Sequence, residues 1–167
     1  IGNALLKRAM LAINYGDVLM QVLYRTRPYE AAEGSANALY EKWVEKAKLN
    51  VADGRLVRYN KNIRAIVKEF DRLPLLNVKK PRVGLVGEIL VKFHPDANNR
   101  IVDIVEAEGG EAVMPPLVNF LQYCTYNIKF KARYLQGKRI AWLSGQVILY
   151  AIRRFRHAMV RAFRKSK

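Results

Sequence analysis

The sequence predicts an α/β chain: a layer of helices, a short parallel sheet, then more helices. Three observations carry this. Up to about Pro74, apolar residues recur at three- and four-residue spacing, the period of helices. Residues 80–99, KPRVGLVGEILVKFHPDANN, then switch to a β-branched and apolar run opened by a proline and closed by a turn cluster. A helical stretch and a second strand-like run at 111–114 come next. Strand, loop, helix and strand in that order form the building block of a parallel sheet. We therefore divide the chain into a helical region, 1–76, and a Rossmann-like α/β region, 80–167, that ends in a basic helix.

The helical layer reads in three pieces. Over 3–25, Leu5, Leu6, Ala9, Met10 and Ile13 share one spacing and Val18, Leu19, Val22 and Leu23 share another. Gly16 falls between the two runs, which leaves one weakened helix or two short ones with Asp17 as the second cap. Arg27-Pro28-Tyr29-Glu30 ends it, because the residue before proline avoids helical geometry. A local ion pair among Arg25, Arg27 and Glu30 would fix that turn. Ser35 is the expected N-cap of the next helix, through Leu39, Tyr40, Trp43, Val44 and Ala47. The third runs over 56–73, with Ile63, Ile66, Val67 and Phe70 on one face and Pro74 as its stop.

The expected first strand takes in Val83, Leu85, Val86, Ile89, Leu90 and Val91, interrupted by Gly84 and Gly87. Ile101, Val102, Ile104, Val105 and Ala107 give the helix that follows. The second strand, 111–114, is stopped by Pro115 and Pro116. Residues 117–134 read as a helix that Gly137 closes. The last helix, 140–165, carries a stripe of Ile148, Ile152, Phe155, Met159 and Phe163.

The chain has 167 residues, 51% of them apolar, which is enough for a real core. No apolar run reaches the ~18 residues a membrane span needs. No signal-peptide pattern opens the chain, which argues against export. It begins mid-pattern with Ile1-Gly2-Asn3 and reads as a piece of a longer protein. The single Cys124 cannot make an internal disulfide, in keeping with a reducing cytoplasm, and cannot hold an iron–sulfur cluster alone.

The formal net charge is +16, unevenly spread. Residues 125–167 hold 12 Lys and Arg and no Asp or Glu. Such a segment points to an anionic partner: a missing acidic surface of its own protein, a phosphate-bearing ligand, a membrane surface or a nucleic acid. The absence of interleaved exposed aromatics and of any recognised nucleic-acid motif argues against the last.

Ligands of open α/β sheets sit beyond the carboxyl ends of the strands, which directs attention to residues 87–99. Gly84 and Gly87 have G-x-x-G spacing and form no dinucleotide fingerprint. They mark a close backbone approach to a ligand, or a packing contact or bulge. Glu88 is a carboxylate near the strand end, with no second carboxylate in a fixed relation to it. Asn98 and Asn99 precede the next helix, one of them as its expected N-cap, and an exposed helix start also offers N–H groups to an anion. Gly87, Glu88, Asn98 and Asn99 are therefore the candidate ligand-binding residues. His94 and His157 show no metal-ligand spacing and fit the surface. Cys124 fits a buried, inert thiol.

Three stretches also carry a family likeness: YGDVLMQVLYRTRPYEAAEGSANALYEKWVEK (15–46), KPRVGLVGEILVKFHPDANN (80–99) and IVDIVEAEGGEAVMPPLVNFLQYCTYN (101–127). With these the chain resembles the CoA-substrate-specific enzyme activase-related proteins of anaerobes, relatives of 2-hydroxyacyl-CoA dehydratases and benzoyl-CoA reductases. The resemblance implies a part of the dehydratase-like region of a multi-domain protein. In that system ATP hydrolysis drives a low-potential electron onto an iron–sulfur acyl-CoA dehydratase or reductase. ATP with Mg and the cluster belong to the full system. No cofactor is assigned to these residues, which lack a phosphate-binding glycine loop. Dehydratase-type subunits carry a cluster cysteine soon after a strand. Here Met114-Pro115-Pro116-Leu117 occupies that place, and Cys124 lies eight residues past Pro116. The implied partners are the remaining domains of its own chain and the dehydratase or reductase components. There is no membrane partner, and a homo-oligomer would cover the sheet edge. From the residues alone, a basic polyanion-binding module or an inter-domain scaffold remains the alternative.

Overall fold

The computed structural model describes residues 2–135 and 139–166. Gly137, the expected break between the last two helices, lies outside the described residues. The elements are α1 (Asn3–Thr26), α2 (Ser35–Asp53), α3 (Leu56–Phe70), β1 (Arg82–Gly84), α4 (Ile89–Phe93), α5 (Ile101–Ala107), β2 (Glu111–Val113), α6 (Leu117–Tyr134) and α7 (Arg139–Phe163). The chain is mostly helical, with one two-stranded parallel sheet.

Helix α1 runs unbroken through Gly16, because Tyr15, Val18 and Leu19 on either side are buried in the core and hold the turn. Asp17 does not cap α1. Its carboxylate crosses the fold and accepts the backbone N–H groups of Leu117 (2.7 Å) and Val118 (2.8 Å), capping α6 after Pro115-Pro116. A negative charge also suits the positive end of that helix.

The turn at Pro28 differs from its expected wiring. Glu30 accepts from the N–H groups of Gly34 (2.8 Å) and Ala36 (2.7 Å) and from the Ser35 hydroxyl (3.1 Å). It therefore caps α2, and Ser35 is a helical residue behind Gly34, whose φ of 81° favours glycine. Arg27 reaches away to α5 rather than to Glu30. Helix α3 ends at Phe70, three residues early, because the i→i+3 bonds Arg72→Glu69 and Leu73→Phe70 tighten the chain ahead of Pro74.

One core cluster unites α1, α2 and α3 with the second half of α7 and Val118 of α6. Leu11, Val18, Tyr59, Ile63 and Ile66 are almost fully buried in it. The Tyr59 hydroxyl donates to the Phe155 carbonyl (3.0 Å) and ties α7 to α3. The buried face of α7 is Leu149, Ile152, Met159 and Ala162, with Phe155 and Phe163 half-buried. Ile148, expected in that stripe, is 45% exposed. Leu149, the next residue, is buried in its stead, and near it Gly145 faces α6, where a Cβ would fall 2.5 Å from Cγ of Lys129.

Strands β1 and β2 pair in parallel, with Arg82 opposite Glu111, Val83 opposite Ala112 and Gly84 opposite Val113. This matches the expected strand–helix–strand order. The first strand, however, ends at Gly84. Gly87 (φ 149°) turns the chain, and the Glu88 carboxylate accepts the Val91 N–H (3.1 Å) as the N-cap of α4. Ile89, Leu90 and Val91 are therefore helical rather than extended. A second, small core of Leu85, Val102, Ala112 and Met114 rests against Met20 and Tyr24 of α1. Every residue of β1 is exposed, whereas Glu111 and Ala112 of β2 are buried. Among the described residues no helix is long and apolar enough to cross a membrane.

Candidate ligand cleft

Where the α4–α5 connection leans over α1 and α2, a cleft of about 380 Å³ opens. Its aromatic and apolar walls come from Tyr24 of α1, Tyr40 of α2, Phe93 of α4 and Val102 of α5. Arg27, Lys92 and Arg100 line it, against the carboxylates of Glu41 and Asp103.

Each cation has a definite setting. Arg27 follows α1, where Pro28 ends the helix, and its Nε lies 2.7 Å from Glu106. Its second nitrogen reaches Asp103 at 3.3 Å. Its guanidinium carbon stands 5.8 Å from the centre of the Tyr24 ring. Burial pushes the Glu106 carboxyl above its usual range, and Arg27 pulls it back only in part. Burial also pushes the Tyr24 hydroxyl up. Arg27 thus serves chiefly to bind α5 to the helical body.

Lys92 and Arg100 form no ion pair among the described residues. Lys92 extends over the Phe93 ring, 4.6 Å from its centre. Arg100 follows Asn99 in a left-handed pair (φ 56° and 53°) that closes the loop before α5. The arrangement suits a ligand with an apolar or planar arm and an anionic group: walls for the first, two uncommitted cations for the second.

Of the residues singled out in the sequence, Asn98 reaches the cleft wall. Its amide nitrogen donates to the carbonyls of Val91 and Lys92 (3.0 Å each) and its oxygen accepts from the Ile101 N–H (3.3 Å). It fastens the end of α4 to the start of α5 and so sets the position of Lys92. Gly87, Glu88 and Asn99 are exposed and lie outside the cleft lining. Hydrogen bonds from the backbone of α4 hold the Glu88 carboxyl below its usual range, as befits a cap. Gly84 has no neighbour within 4 Å of where its Cβ would be. The close approach falls instead at Gly110, where a Cβ would meet the Val105 carbonyl and Cγ1 at 3.0 Å.

His94 and His157 are exposed. Cys124 is a half-buried free thiol on α6. No group of three His, Cys, Asp or Glu is placed to hold a metal among the described residues. An iron–sulfur cluster takes several thiolates, so this donor set, with one thiol, does not fit it.

The sequence reading missed Lys92, Arg100, Tyr24 and Tyr40 as cleft residues. Lys92 and Arg100 flank the predicted turn cluster at 94–99, and that adjacency was the available signal. The tyrosines face the cleft only through the docking of α1 and α2, which no local pattern encodes. No protein family, no curated protein and no solved structure matches the chain.

Proposed function

We propose that this chain is a ligand-binding, non-ATPase portion of a protein related to the activases and dehydratases of 2-hydroxyacyl-CoA and benzoyl-CoA metabolism. Its parallel unit is then the start of a Rossmann-like sheet, and its setting is cytoplasmic. The observation that carries the reading is the cleft at the α4–α5 connection, which pairs aromatic walls with the unpaired Lys92 and Arg100. A CoA thioester has this dual chemistry, with phosphates at one end and an acyl-pantetheine arm at the other. The likeness over 15–46, 80–99 and 101–127 supports the same reading, and two of those stretches supply the cleft's α4, α5 and Asn98. In this account Lys92 and Arg100 hold phosphate oxygens, Tyr24, Tyr40 and Phe93 wall the arm, and Asn98 positions Lys92. Cluster, ATP and electron transfer lie with the other components, and no reaction step is assigned to these residues.

Calorimetric titration tests this. Acyl-CoA and CoA bind, the free carboxylic acid does not, and Lys92→Ala with Arg100→Ala weakens CoA about tenfold or more. Equal binding by the double variant, or no heat with any CoA species, contradicts the assignment.

A further inference from the structure

A second cleft, of about 370 Å³, lies between α3 and the end of α7. Val67 of α3 and Ala162 of α7, both buried, form its floor. Arg64 and Lys68 line it from α3, and Arg161 and Lys165 from the end of α7. Asp71 is the one carboxylate among the described residues that line it, and it shares no residue with the α4–α5 cleft. We propose that this cleft binds a small anion carrying two or more phosphate groups.

The cations are not answered from within the chain. Arg64 and Lys68 stand four residues apart on one helix, and Arg161 and Lys165 repeat that spacing on the other wall. Like charges at this spacing repel and weaken a helix. A cation in a last turn suits the helix dipole, but four around one cleft exceed that need. None of the four lies in an ion pair among the described residues. Arg64 donates from Nε to the Asn60 carbonyl (3.1 Å), and its terminal nitrogens have no acceptor among the described residues. Asp71 is engaged elsewhere: its carboxylate accepts from the Ser166 hydroxyl (2.7 Å), whose oxygen accepts from Arg25 (3.2 Å). That chain of bonds fastens the end of α7 to the end of α3 and sets the spacing of the two walls before a ligand arrives.

Size and geometry select the ligand. A cavity of this volume suits one small molecule. A duplex or an acidic protein surface spreads its charge over a broad face, whereas these cations converge on one enclosed volume from two walls. A tetrahedral phosphate offers oxygens on all sides and meets both walls at once, while a planar carboxylate meets donors in a single plane. Each phosphate carries about −1.5 to −2 near pH 7, so two groups balance four cations less one carboxylate. The proposal does not rest on the CoA reading.

Calorimetric titration with sodium diphosphate and tripolyphosphate tests it. Both bind, and inorganic phosphate and citrate bind about tenfold or more weaker. Arg64→Ala with Arg161→Ala weakens tripolyphosphate about tenfold or more, and the milder Lys68→Gln with Lys165→Gln acts in the same direction. Because these substitutions relieve repulsion, the thermal midpoint without ligand stays at or above that of the wild type. Added tripolyphosphate raises the midpoint of the wild type and not of the variants. Lys131→Gln with Arg154→Gln removes the same charge from exposed positions elsewhere on α6 and α7 and leaves the affinity unchanged. Equal loss in that control pair, or no loss in the cleft variants, overturns the proposal. So does citrate binding as tightly as diphosphate, binding of duplex DNA in place of the small anions, or no heat with either polyphosphate.

Discussion

The helical body and the strand–helix–strand unit show opposite degrees of completeness. In the body, α1, α2, α3 and the end of α7 enclose a continuous core, and Leu11, Val18, Ile63 and Ile66 reach almost no solvent. The parallel unit closes over four buried side chains, borrows Met20 and Tyr24 from α1, and leaves β1 open on every residue. Parallel sheets are ordinarily covered on both faces. The body thus holds the main core, and the unit rests on it and leaves one strand exposed. Arg27, which ties α5 to the end of α1, and Asp17, which ties α6 to the middle of α1, join the two.

Core truncation separates the regions most strongly. Phe70→Ala in the body costs about 3–5 kcal/mol in urea denaturation, whereas Val83→Ala on β1 costs under about 1 kcal/mol. Equal losses would mean that the unit shares the body's core. Next comes the junction. Asp17→Ala strands the Leu117 and Val118 N–H groups and costs roughly 2–4 kcal/mol.

Asp17 also gives the junction a pH signature. Burial pushes its carboxyl above the usual range, despite the two backbone bonds and the nearby charges that pull it down. The native state therefore holds the proton more tightly than the unfolded chain. The Asp17 contribution is fully present below about pH 4, its unfolded value, and is lost as pH rises through the native pKa. Asp17→Asn abolishes that slope in pH-resolved denaturation. A slope of the opposite sign would show that the capped carboxylate, not its burial, dominates.

Gly110→Ala is smaller, about 1–3 kcal/mol, because its Cβ would press on the Val105 carbonyl at 3.0 Å. Lys92→Ala with Arg100→Ala changes stability least, by about 0.5 kcal/mol or less, while removing cleft affinity.

Much of the body was legible because its signals are local. Three- and four-residue spacing located α1, α2, α3 and α6, and Pro74, Pro115 and Pro116 set their limits. The parallel order of β1 and β2 was legible from their placement around α5. What the sequence hid was long-range. Asp17 sits within α1, yet its carboxylate caps α6 across the fold, whereas Glu30 caps α2 from close by in the chain, where Ser35 looked the better cap. The run Ile89-Leu90-Val91 has strand composition, but the Glu88 cap overrides it. In α7, Ile148 and Leu149 are equally apolar neighbours, and only the packed fold shows that Leu149 is the buried one. For the cleft, the loop through Asn98 was found from sequence, whereas Tyr24 and Tyr40 required the docked helices.

Native-state hydrogen exchange, with and without a CoA thioester, tests the contrast and the cleft together. The account predicts that amides of α1 and α3 exchange only by global unfolding. Those of β1, α4 and α5 exchange by cheaper local opening and slow when the thioester binds. Uniform protection across both regions, or slowing confined to elements away from the α4–α5 connection, would contradict it.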